Sequence, residues 1–378
     1  MNLFNHKKPY TIGIEEEYML CDPHDGELVP KADEIINSLN NDMLKRYSYE
    51  LILSEIEINT SVCNNVDEAL EEIIFLRNNT KALGDKYDFK LGISGTHPTS
   101  KCECQAFVNN ESYNWVADQL QYYAKRNVTF SNHIHIAVND KECAIHVANS
   151  LRRWIAPLLA LSTNSPFFEG RATGLRSSRT FQFSSFPRTN IPIYFNEFND
   201  YEKIIDKYIK SKTIEKPRQI WWKIRPHVDY GTIEFRICDA QRSIRNIRML
   251  ASLSQALVYT AVEEYHSGNL LEKFNLEYLF DALWKASRFP IEAEVVDPVT
   301  ENISTIKSQI SLMLEYVDDA LSLFNNLNAK DDVAKIINNG TECDEQIKIF
   351  SESGFTGLKK YLINNVDYKI GDVKCLEK

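Results

Sequence analysis

The fold is decided by an alternating stretch near the start of the chain, Tyr10-Thr-Ile-Gly-Ile-Glu-Glu-Glu-Tyr-Met-Leu20. Successive side chains of a β-strand point to opposite faces of the sheet. The alternation therefore places apolar residues such as Ile14 on one face, with Glu15 and Glu17 on the other. Glu16 falls on the apolar face, where either a buried ion pair or a position at the sheet edge would explain it.

Three later segments repeat this division into one apolar face and one polar face. They are Leu53-Ser-Glu-Ile-Glu-Ile-Asn59, Phe130-Ser-Asn-His-Ile-His-Ile-Ala-Val138 and Thr232-Ile-Glu-Phe-Arg-Ile-Cys238. Their polar positions are Glu55, Glu57, His133, His135, Glu234 and Arg236. The four segments together offer five glutamates, two histidines and one arginine on one face, without a lysine. Carboxylates at this density repel one another unless cations lie among them.

Two interpretations of the polar face stay open at this point, a solvated side of an antiparallel sheet and a divalent-metal site. Solvated faces are common in antiparallel sheets. Taken singly, a Glu-x-Glu pair is usually solvated and a Glu-x-Arg pair is usually a salt bridge. Oxygen ligands with some imidazole suit Mg²⁺ or Mn²⁺, whereas structural zinc would require nearby thiolates. The metal interpretation assumes that the four segments are neighbours in one sheet.

The composition is that of a folded protein with a full core. The chain has 378 residues, of which 43% are apolar, and its 43 basic and 53 acidic side chains give a net charge of −10. An acidic balance argues against nonspecific binding to nucleic acid or to a membrane, which needs a basic surface. Without a membrane-length apolar run or a signal-peptide pattern, we expect a cytoplasmic protein with reduced cysteines.

No linker, repeat or low-complexity tract divides the chain. We therefore expect one domain over residues 1–378, sheet-rich over 10–240 and mostly helical over 242–378. Helical periodicity predicts helices over 66–84, 141–161, 244–267 and 305–327, with Ser243 and Ser304 as N-caps and Gly268 just past the end of the third. The resulting fold class is α+β.

An arginine-rich segment separates the third and fourth strands, Gly170-Arg-Ala-Thr-Gly-Leu-Arg-Ser-Ser-Arg-Thr180. It matches neither the P-loop nor the dinucleotide fingerprint. Glycines with several guanidinium groups suit recognition of phosphate or carboxylate, and an exposed basic loop is the alternative. The chain also lacks a GxSxG elbow, so serine hydrolase chemistry is not expected.

Seven motifs follow one another along the chain: Gly13-Ile-Glu-Glu-Glu-Tyr18, Glu57 with Thr60, Gly95-Thr-His-Pro98, His133-Ile-His-Ile136, Ser177-Ser-Arg179, Ile224-Arg-Pro226, and Gly231-Thr-Ile-Glu-Phe-Arg236 with Asp239. In this order they resemble the glutamate–cysteine ligase type 2 family, the YbdK-like carboxylate–amine ligases. The resemblance implies a glutamine-synthetase-like fold, in which a curved, mainly antiparallel sheet forms a funnel and helices pack on its outer face and at the C-terminus. It also implies ATP- and Mg²⁺-dependent formation of an amide through an acyl phosphate, with Mn²⁺ as a possible substitute.

The resemblance further assigns roles to individual residues. The implied metal ligands are Glu15, Glu17, Glu57, His133 and Glu234. The implied catalytic residues are Arg236, Glu57 and Glu234, and those implied to serve ATP phosphates or a substrate carboxylate are Arg179, Arg225 and His135. Arg236 would steady the transferred phosphoryl group, and His135 would bind phosphate or orient a neighbour. Glu55 is left without a role, and His97 is expected to be structural.

The leading hypothesis is an ATP-dependent ligase that joins the γ-carboxylate of glutamate, by family default, to cysteine or another small amine. The alternatives are a guanidino kinase-like phosphotransferase and a non-catalytic nucleotide-binding protein. The expected partners are a small carboxylate and a small amine, with no nucleic acid and no membrane, and the C-terminal helices would support a homodimer. Because such a site mainly positions and stabilises charge, Glu57→Gln and Glu234→Gln are expected to lose turnover without melting earlier.

Overall fold

The computed structural model describes residue 4 and residues 8–366, and a seven-stranded sheet lies at its centre. The strands of the chain are β1 (Ile12–Cys21), β2 (Tyr47–Tyr49), β3 (Glu55–Asn59), β4 (Lys90–Gly92), β5 (Ser131–Ala137), β6 (Phe167–Phe168), β7 (Arg171–Ala172), β8 (Ile224–His227), β9 (Thr232–Asp239), β10 (Glu294–Val296) and β11 (Ile303–Thr305). The main sheet has the order β2-β3-β1-β5-β9-β8, with β4 paired to the end of β1, and all of its pairings are antiparallel. The four patterned segments are therefore neighbours, as the metal interpretation required.

Helices cover the apolar face of this sheet and form most of the chain after β9. They are α1 (Ala32–Ser38), α2 (Asn41–Leu44), α3 (Val66–Tyr87), α4 (Glu111–Leu120), α5 (Lys141–Leu151), α6 (Ile155–Ser162), α7 (Ser178–Phe183), α8 (Phe198–Lys210), α9 (Ile244–Ser267), α10 (Leu276–Arg288), α11 (Ile306–Tyr316), α12 (Asp318–Leu323), α13 (Asn328–Asn339) and α14 (Glu342–Asn364). Helices α3, α6 and α9 pack against β1, β9 and β5. The α+β class is confirmed. Within the described residues, no helix combines the length and the apolar character that a membrane crossing needs.

Two predicted helices are interrupted. The helix predicted over 141–161 is α5 and α6, separated by the 3-10 turn Arg152–Trp154. Pro157 explains the break, because its ring clashes with the carbonyl of Arg153 and it has no N–H to donate. The helix predicted over 305–327 is likewise α11 and α12.

Both predicted N-caps are corrected by the structure. The cap of α11 is Thr305, whose hydroxyl accepts a hydrogen bond from Ser308 N at 3.1 Å, whereas Ser304 belongs to β11. Ser243 stands at the N-cap position of α9, but its side chain makes no capping hydrogen bond. The carboxylate of Glu342 accepts from Ser243 N at 2.8 Å instead. Gly268 ends α9 in the left-handed region with φ 75°, as predicted.

Glu16 forms the buried ion pair that was one of its two predicted explanations. Its side chain is on the apolar side of β1, where Arg77 of α3 donates two hydrogen bonds to it, both of 2.9 Å. Asn132 of β5 donates a third at 3.0 Å. The ion pair therefore fixes α3 and β5 to the central strand, with the charges compensated inside the core.

Candidate active site

The polar face of the sheet lines a cavity of about 650 Å³. All of the residues predicted as metal ligands line it, namely Glu15, Glu17, Glu57, His133 and Glu234. Arg179, Arg225 and Arg236 also line the cavity. Eight of the nine predicted site residues thus meet in one place, six of them on the four alternating strands, and the ninth, His135, lies beside them.

Strand register explains why these side chains meet. Glu17 of β1 is directly opposite Glu57 of β3, and Glu15 is directly opposite His133 of β5. On the next pair of strands, His135 is opposite Glu234 of β9. Directly opposite residues in an antiparallel pair point to the same face with Cβ atoms about 4.5–5.5 Å apart. Each predicted metal ligand therefore has another predicted site residue directly opposite it on a neighbouring strand.

Three overlapping groups of side chains offer ligand atoms within 4.8 Å of one another. The groups are Glu15 with Glu57 and His133, Glu15 with His135 and Glu234, and Glu17 with Glu50 and Glu57. Carboxylate oxygens with at most one imidazole in each group suit Mg²⁺ or Mn²⁺ better than a thiolate-binding metal. The donor set thus fits the divalent cation that the family resemblance implies.

Charge on the β3 side of the cavity is only partly compensated by protein cations, of which Arg236 acts on Glu50 and Arg179 on Glu55. Burial raises the pKa of Glu57 well above its usual range, and the charges of Glu15, Glu50 and Glu17 raise it further. Burial and the charge of Glu17 raise the pKa of Glu50 to about 8. The pKa of Glu55 is raised in the same way, by burial first and then by Glu17. A divalent cation placed here would relieve this mutual repulsion.

Charge on the β9 side is compensated. Burial raises the pKa of Glu234, but Arg225 and Arg236 outweigh it and hold the pKa well below its usual range. Arg225 Nε donates to Glu234 at 2.5 Å, and Arg236 donates to the other carboxylate oxygen. Burial likewise raises the pKa of Glu15, while the neighbouring histidines His135 and His133 more than reverse the effect.

The predicted arginines differ in how many donors they keep for a ligand. Arg225 donates Nη1 to two backbone carbonyls in addition to its contact with Glu234, so the protein uses most of its donors. Arg179 is 4% exposed, and among the described residues its guanidinium group donates to the carbonyls of Ile237 and Arg236 alone. The Nε atoms of Arg179 and Arg236 are buried without a hydrogen-bond partner among the described residues. These two guanidinium groups are suited to an anion such as phosphate.

A β-bulge and a buried aspartate position Arg179. Across from Asn132 and Ile134, the register of β9 shifts by one residue, which brings Asp239 opposite Ser131. Asp239 accepts hydrogen bonds from the hydroxyls of Ser165 and Ser177 at 2.7 and 2.8 Å. Ser177 caps α7, the helix that carries Arg179, so the bulge fixes this helix over the sheet.

The Gly-Thr-His-Pro motif is structural. A Cβ on Gly95 would lie 2.7 Å from the Asp239 carboxyl carbon, so only glycine fits at this position. His97 is 2% exposed, with Nε2 2.8 Å from the carbonyl of Gly26 and Nδ1 accepting from Ser100 N at 2.9 Å. These contacts are in keeping with the expectation that His97 has a structural role.

His135 is next to the cavity, and its Nδ1 is 2.9 Å from the Thr232 hydroxyl. Its buried Nε2 is 3.3 Å from Glu15 and 3.8 Å from Glu234 but has no hydrogen-bond partner among the described residues. The closeness to both carboxylates is in keeping with the orienting role, and the Nε2 atom stays available to a ligand.

Several cavity residues were not predicted from the sequence. Glu50 follows β2 in a loop, where alternation gives no signal. His227 lies two residues after Arg225 on β8, so the same two-residue period would have identified it. Lys223, two residues before Arg225, is buried but does not line the cavity. Burial, with Arg179 and Arg236 nearby, lowers the pKa of Lys223 to about 7. His227 stacks on Tyr230 with ring centroids 4.3 Å apart at the cavity wall.

Comparison with known proteins places this arrangement in a family. The sequence model of glutamate–cysteine ligase family 2 matches residues 11–347. A Solibacter usitatus protein with the provisional name glutamate–cysteine ligase 2 is 32% identical over 376 residues, covering 97% of this chain and 96% of the relative. A Herpetosiphon aurantiacus protein of the same provisional name is 32% identical over 346 residues, covering 92% and 90%.

Solved structures show the same fold at low identity. Glutamate–cysteine ligase from Francisella tularensis, in complex with AMP, has a TM-score of 0.73 at 11% identity, covering 96% of this chain and 89% of that one. A bifunctional glutathione synthetase from Pasteurella multocida has a TM-score of 0.69 at 13% identity, covering 96% and 53%. The predicted ligase-type fold is therefore confirmed, and at these identities the likeness concerns the fold alone.

Proposed function

The chain belongs to the glutamate–cysteine ligase family 2, and from this premise we propose that it is an ATP- and Mg²⁺-dependent carboxylate–amine ligase with glutamate as the carboxylate donor. The acceptor is cysteine or another small primary amine. The observation that carries the proposal is the presence, in one cavity, of three overlapping carboxylate groups beside the available guanidinium groups of Arg179 and Arg236.

The proposed reaction has two steps. In the first, a carboxylate oxygen of the donor attacks the γ-phosphorus of ATP, an O–P bond forms, and the P–O bond to ADP breaks. In the second, the amine nitrogen attacks the acyl carbon, a C–N bond forms, and the C–O bond to phosphate breaks. In neutral water the acceptor is an ammonium ion, so it loses one proton to solvent before it attacks and a second as phosphate leaves, and the amide nitrogen keeps one hydrogen.

The residues of the cavity divide this work by charge. Glu15, Glu17, Glu57, His133 and Glu234 would hold the cations. Mg²⁺, when bound, supplies positive charge that neutralises the γ-phosphoryl oxygens. Arg236, held by Glu234, places a guanidinium where charge develops during transfer, and Arg179 binds a second anionic group. The protein thereby positions both substrates and stabilises charge without contributing a nucleophile.

The test is ADP release from Mg-ATP with glutamate, with and without a panel of amines that includes cysteine, read together with product mass. We expect ADP release that depends on glutamate, together with a new amide mass. ADP with a phosphoguanidine would identify a kinase, and ATP binding without ADP under any condition would identify a binding protein. Either result would overturn the proposal.

Two variants with the same chemical change distinguish damage to the cavity from a general loss of folding in this assay. Glu57→Gln neutralises a carboxylate inside the cavity, and Glu71→Gln makes the same change on the exposed side of α3. We expect ADP release to be lost in the first and kept in the second. Cytoplasmic location and a homodimer remain predictions, which fractionation and light scattering would check.

A further inference from the structure

Glu55 is a cavity carboxylate that the candidate metal groups do not use. It begins β3, is 3% exposed, and lines the cavity with Glu17 and Glu57. It belongs to none of the three groups of ligand atoms. No residue in the described part of the chain donates a hydrogen bond to its side chain or forms an ion pair with it.

The other cavity carboxylates on this sheet have identifiable partners. Glu17 accepts from the backbone N–H and the hydroxyl of Ser131, both at 2.6 Å. Glu57 accepts from Asn59 at 3.2 Å. Glu234 binds two arginines. Glu55 has no such donor among the described residues, and the positive charge of Arg179 lowers its pKa only as the last of several effects. Because the side chain lines the cavity, a cationic or donor group of a ligand can reach it.

An apolar wall adjoins Glu55 in the same cavity. Leu51, four residues earlier in the chain, packs with Val116 and Phe186 in a small buried cluster apart from the main core. Tyr113, Phe183 and Trp221 pack around this cluster. All six residues line the cavity, and we call them the apolar wall. The rings of Phe186 and Trp221 are tilted against each other with centroids 5.9 Å apart.

Of the three substrates of the proposed reaction, the acceptor matches this corner best. ATP is an anion and needs the guanidinium and metal side of the cavity, and glutamate carries an ammonium group but no apolar substituent for the wall. The acceptor amine is a cation in neutral water and carries a carbon skeleton. A carboxylate beside an aromatic surface is the pairing that recognises an ammonium group with an apolar substituent.

We propose that Glu55 binds the ammonium group of the acceptor and that the apolar wall binds its carbon skeleton. The acceptor class is thus a primary amine with an apolar or aromatic substituent. This inference rests on the proposed function, because it assigns the acceptor position of that same site.

The experiment compares two nucleophiles in the full chain with Mg-ATP and glutamate. Hydroxylamine is small and uncharged near neutral pH, so it traps the acyl phosphate as a hydroxamate without needing an ammonium site. 2-Phenylethylamine is a cation with an aromatic group. For Glu55→Gln, we expect the kcat/KM ratio of 2-phenylethylamine to hydroxylamine to fall about tenfold, in line with the loss of one charge-assisted hydrogen bond. The KM for glutamate is expected to equal that of the wild type.

Two results would overturn the inference while leaving the ligase function in place. One is an unchanged ratio, with or without an equal loss of rate for both nucleophiles. The other is a higher KM for glutamate, which would assign Glu55 to the donor's own ammonium group. If the wild type forms neither hydroxamate nor amide, the proposed function itself fails.

The wall provides an independent variant. Val116→Ala removes apolar surface from it without touching a charged residue, so the kcat/KM ratio of 2-phenylethylamine to methylamine is expected to fall. A wild type that uses methylamine as well as 2-phenylethylamine, or that prefers cysteine to both, would overturn the assignment of the wall. The Val116→Ala variant tests the acceptor assignment even if Glu55→Gln folds poorly.

Discussion

Single residues of the cavity fall into two electrostatic kinds, and this difference decides what their substitution does. Carboxylates near β3 repel one another, whereas Glu234 near β8 is surrounded by guanidinium groups. From the sequence alone, Glu57→Gln and Glu234→Gln were both expected to melt no earlier than the wild type. The structure keeps that expectation for Glu57 and changes it for Glu234.

We expect Glu57→Gln to reduce turnover about 100-fold or more, because a ligand that stabilises developing charge is lost. Its free energy of unfolding should not fall, because a repelling charge is removed. Steady-state ADP release and a urea melt without metal measure the two effects. A matched loss of stability and activity would contradict the metal role.

Glu234→Gln should behave differently. It leaves Arg225 and Arg236 buried without a counter-charge, which costs about 3 kcal/mol of unfolding free energy. If urea unfolding gave Glu234→Gln the same free energy of unfolding as Glu57→Gln, the buried arginines would not need this carboxylate as a counter-charge.

His97 gives the fold a defined sensitivity to acid. Burial lowers its pKa from 6.5 to about 4 in the folded state, so the folded protein disfavours the charged ring. Above pH 6.5 the neutral ring makes its full contribution to the free energy of unfolding. This contribution falls as the pH falls towards 4, and about 3 kcal/mol of it is lost at pH 4. We expect the stability difference between wild type and His97→Asn to shrink over this interval. A difference that is constant with pH would contradict the assignment.

At the scale of helices and strands, contacts between distant parts of the chain fix element ends for which the sequence predicted a local capping residue. The start of α9 is the clearest case, because Glu342 accepts from the backbone N–H groups of Arg242 and Ser243 while the serine side chain does not cap. A helix end therefore depends on a residue about a hundred positions away in the chain.

This dependence predicts opposite outcomes for two alanine substitutions. Glu342→Ala leaves two amides without acceptors and should lower the free energy of unfolding by about 2 kcal/mol or more. Ser243→Ala should change it by less than about 0.5 kcal/mol. Chemical denaturation of both variants measures the difference, and equal effects would restore Ser243 as the cap.

The contact of Gly95 with β9 makes a similar element-scale prediction. Gly95→Ala forces Asp239 away from the hydroxyls of Ser165 and Ser177, so α7 and Arg179 should shift. We expect a loss of about 1–3 kcal/mol, as for other overpacked sites, together with weaker ATP binding. Gly13→Ala is the control, because its Cβ would meet only His135 Cβ at 3.7 Å. Equal effects of the two substitutions would contradict the role of this close approach.

For the whole molecule, the cavity couples ligand binding to stability. Under the proposed function, nucleotide with Mg²⁺ would bind the folded chain and not the unfolded one, so it should stabilise the protein by about 2.7 kcal/mol at a hundred times the Kd. ATP with EDTA should stabilise far less, since the triphosphate then meets only partly compensated carboxylates. A thermal-shift titration measures both, and the benefit of Mg²⁺ should shrink in Glu57→Gln. Equal shifts with and without Mg²⁺ would contradict a metal-bridged nucleotide.

The amino-acid sequence by itself determined which side chains share a face of the sheet. A period of two residues is a local property of an extended chain, so it assigned Glu15, Glu17, Glu57, His133 and Glu234 to one side without knowledge of the fold. The same argument placed Glu16 on the opposite side. Motif order then indicated the family, which the comparisons confirmed.

Tertiary structure alone decided which of these side chains meet and which charges are compensated. Strand order, register and the bulge in β9 brought Glu17 against Glu57 and Asp239 under α7. Glu50 joined the cavity from a loop, and Glu342 capped a distant helix. The physical reason is that the pKa values, ion pairs and ligand geometry here depend on distances between residues far apart in the chain, and these distances exist only once the sheet has formed.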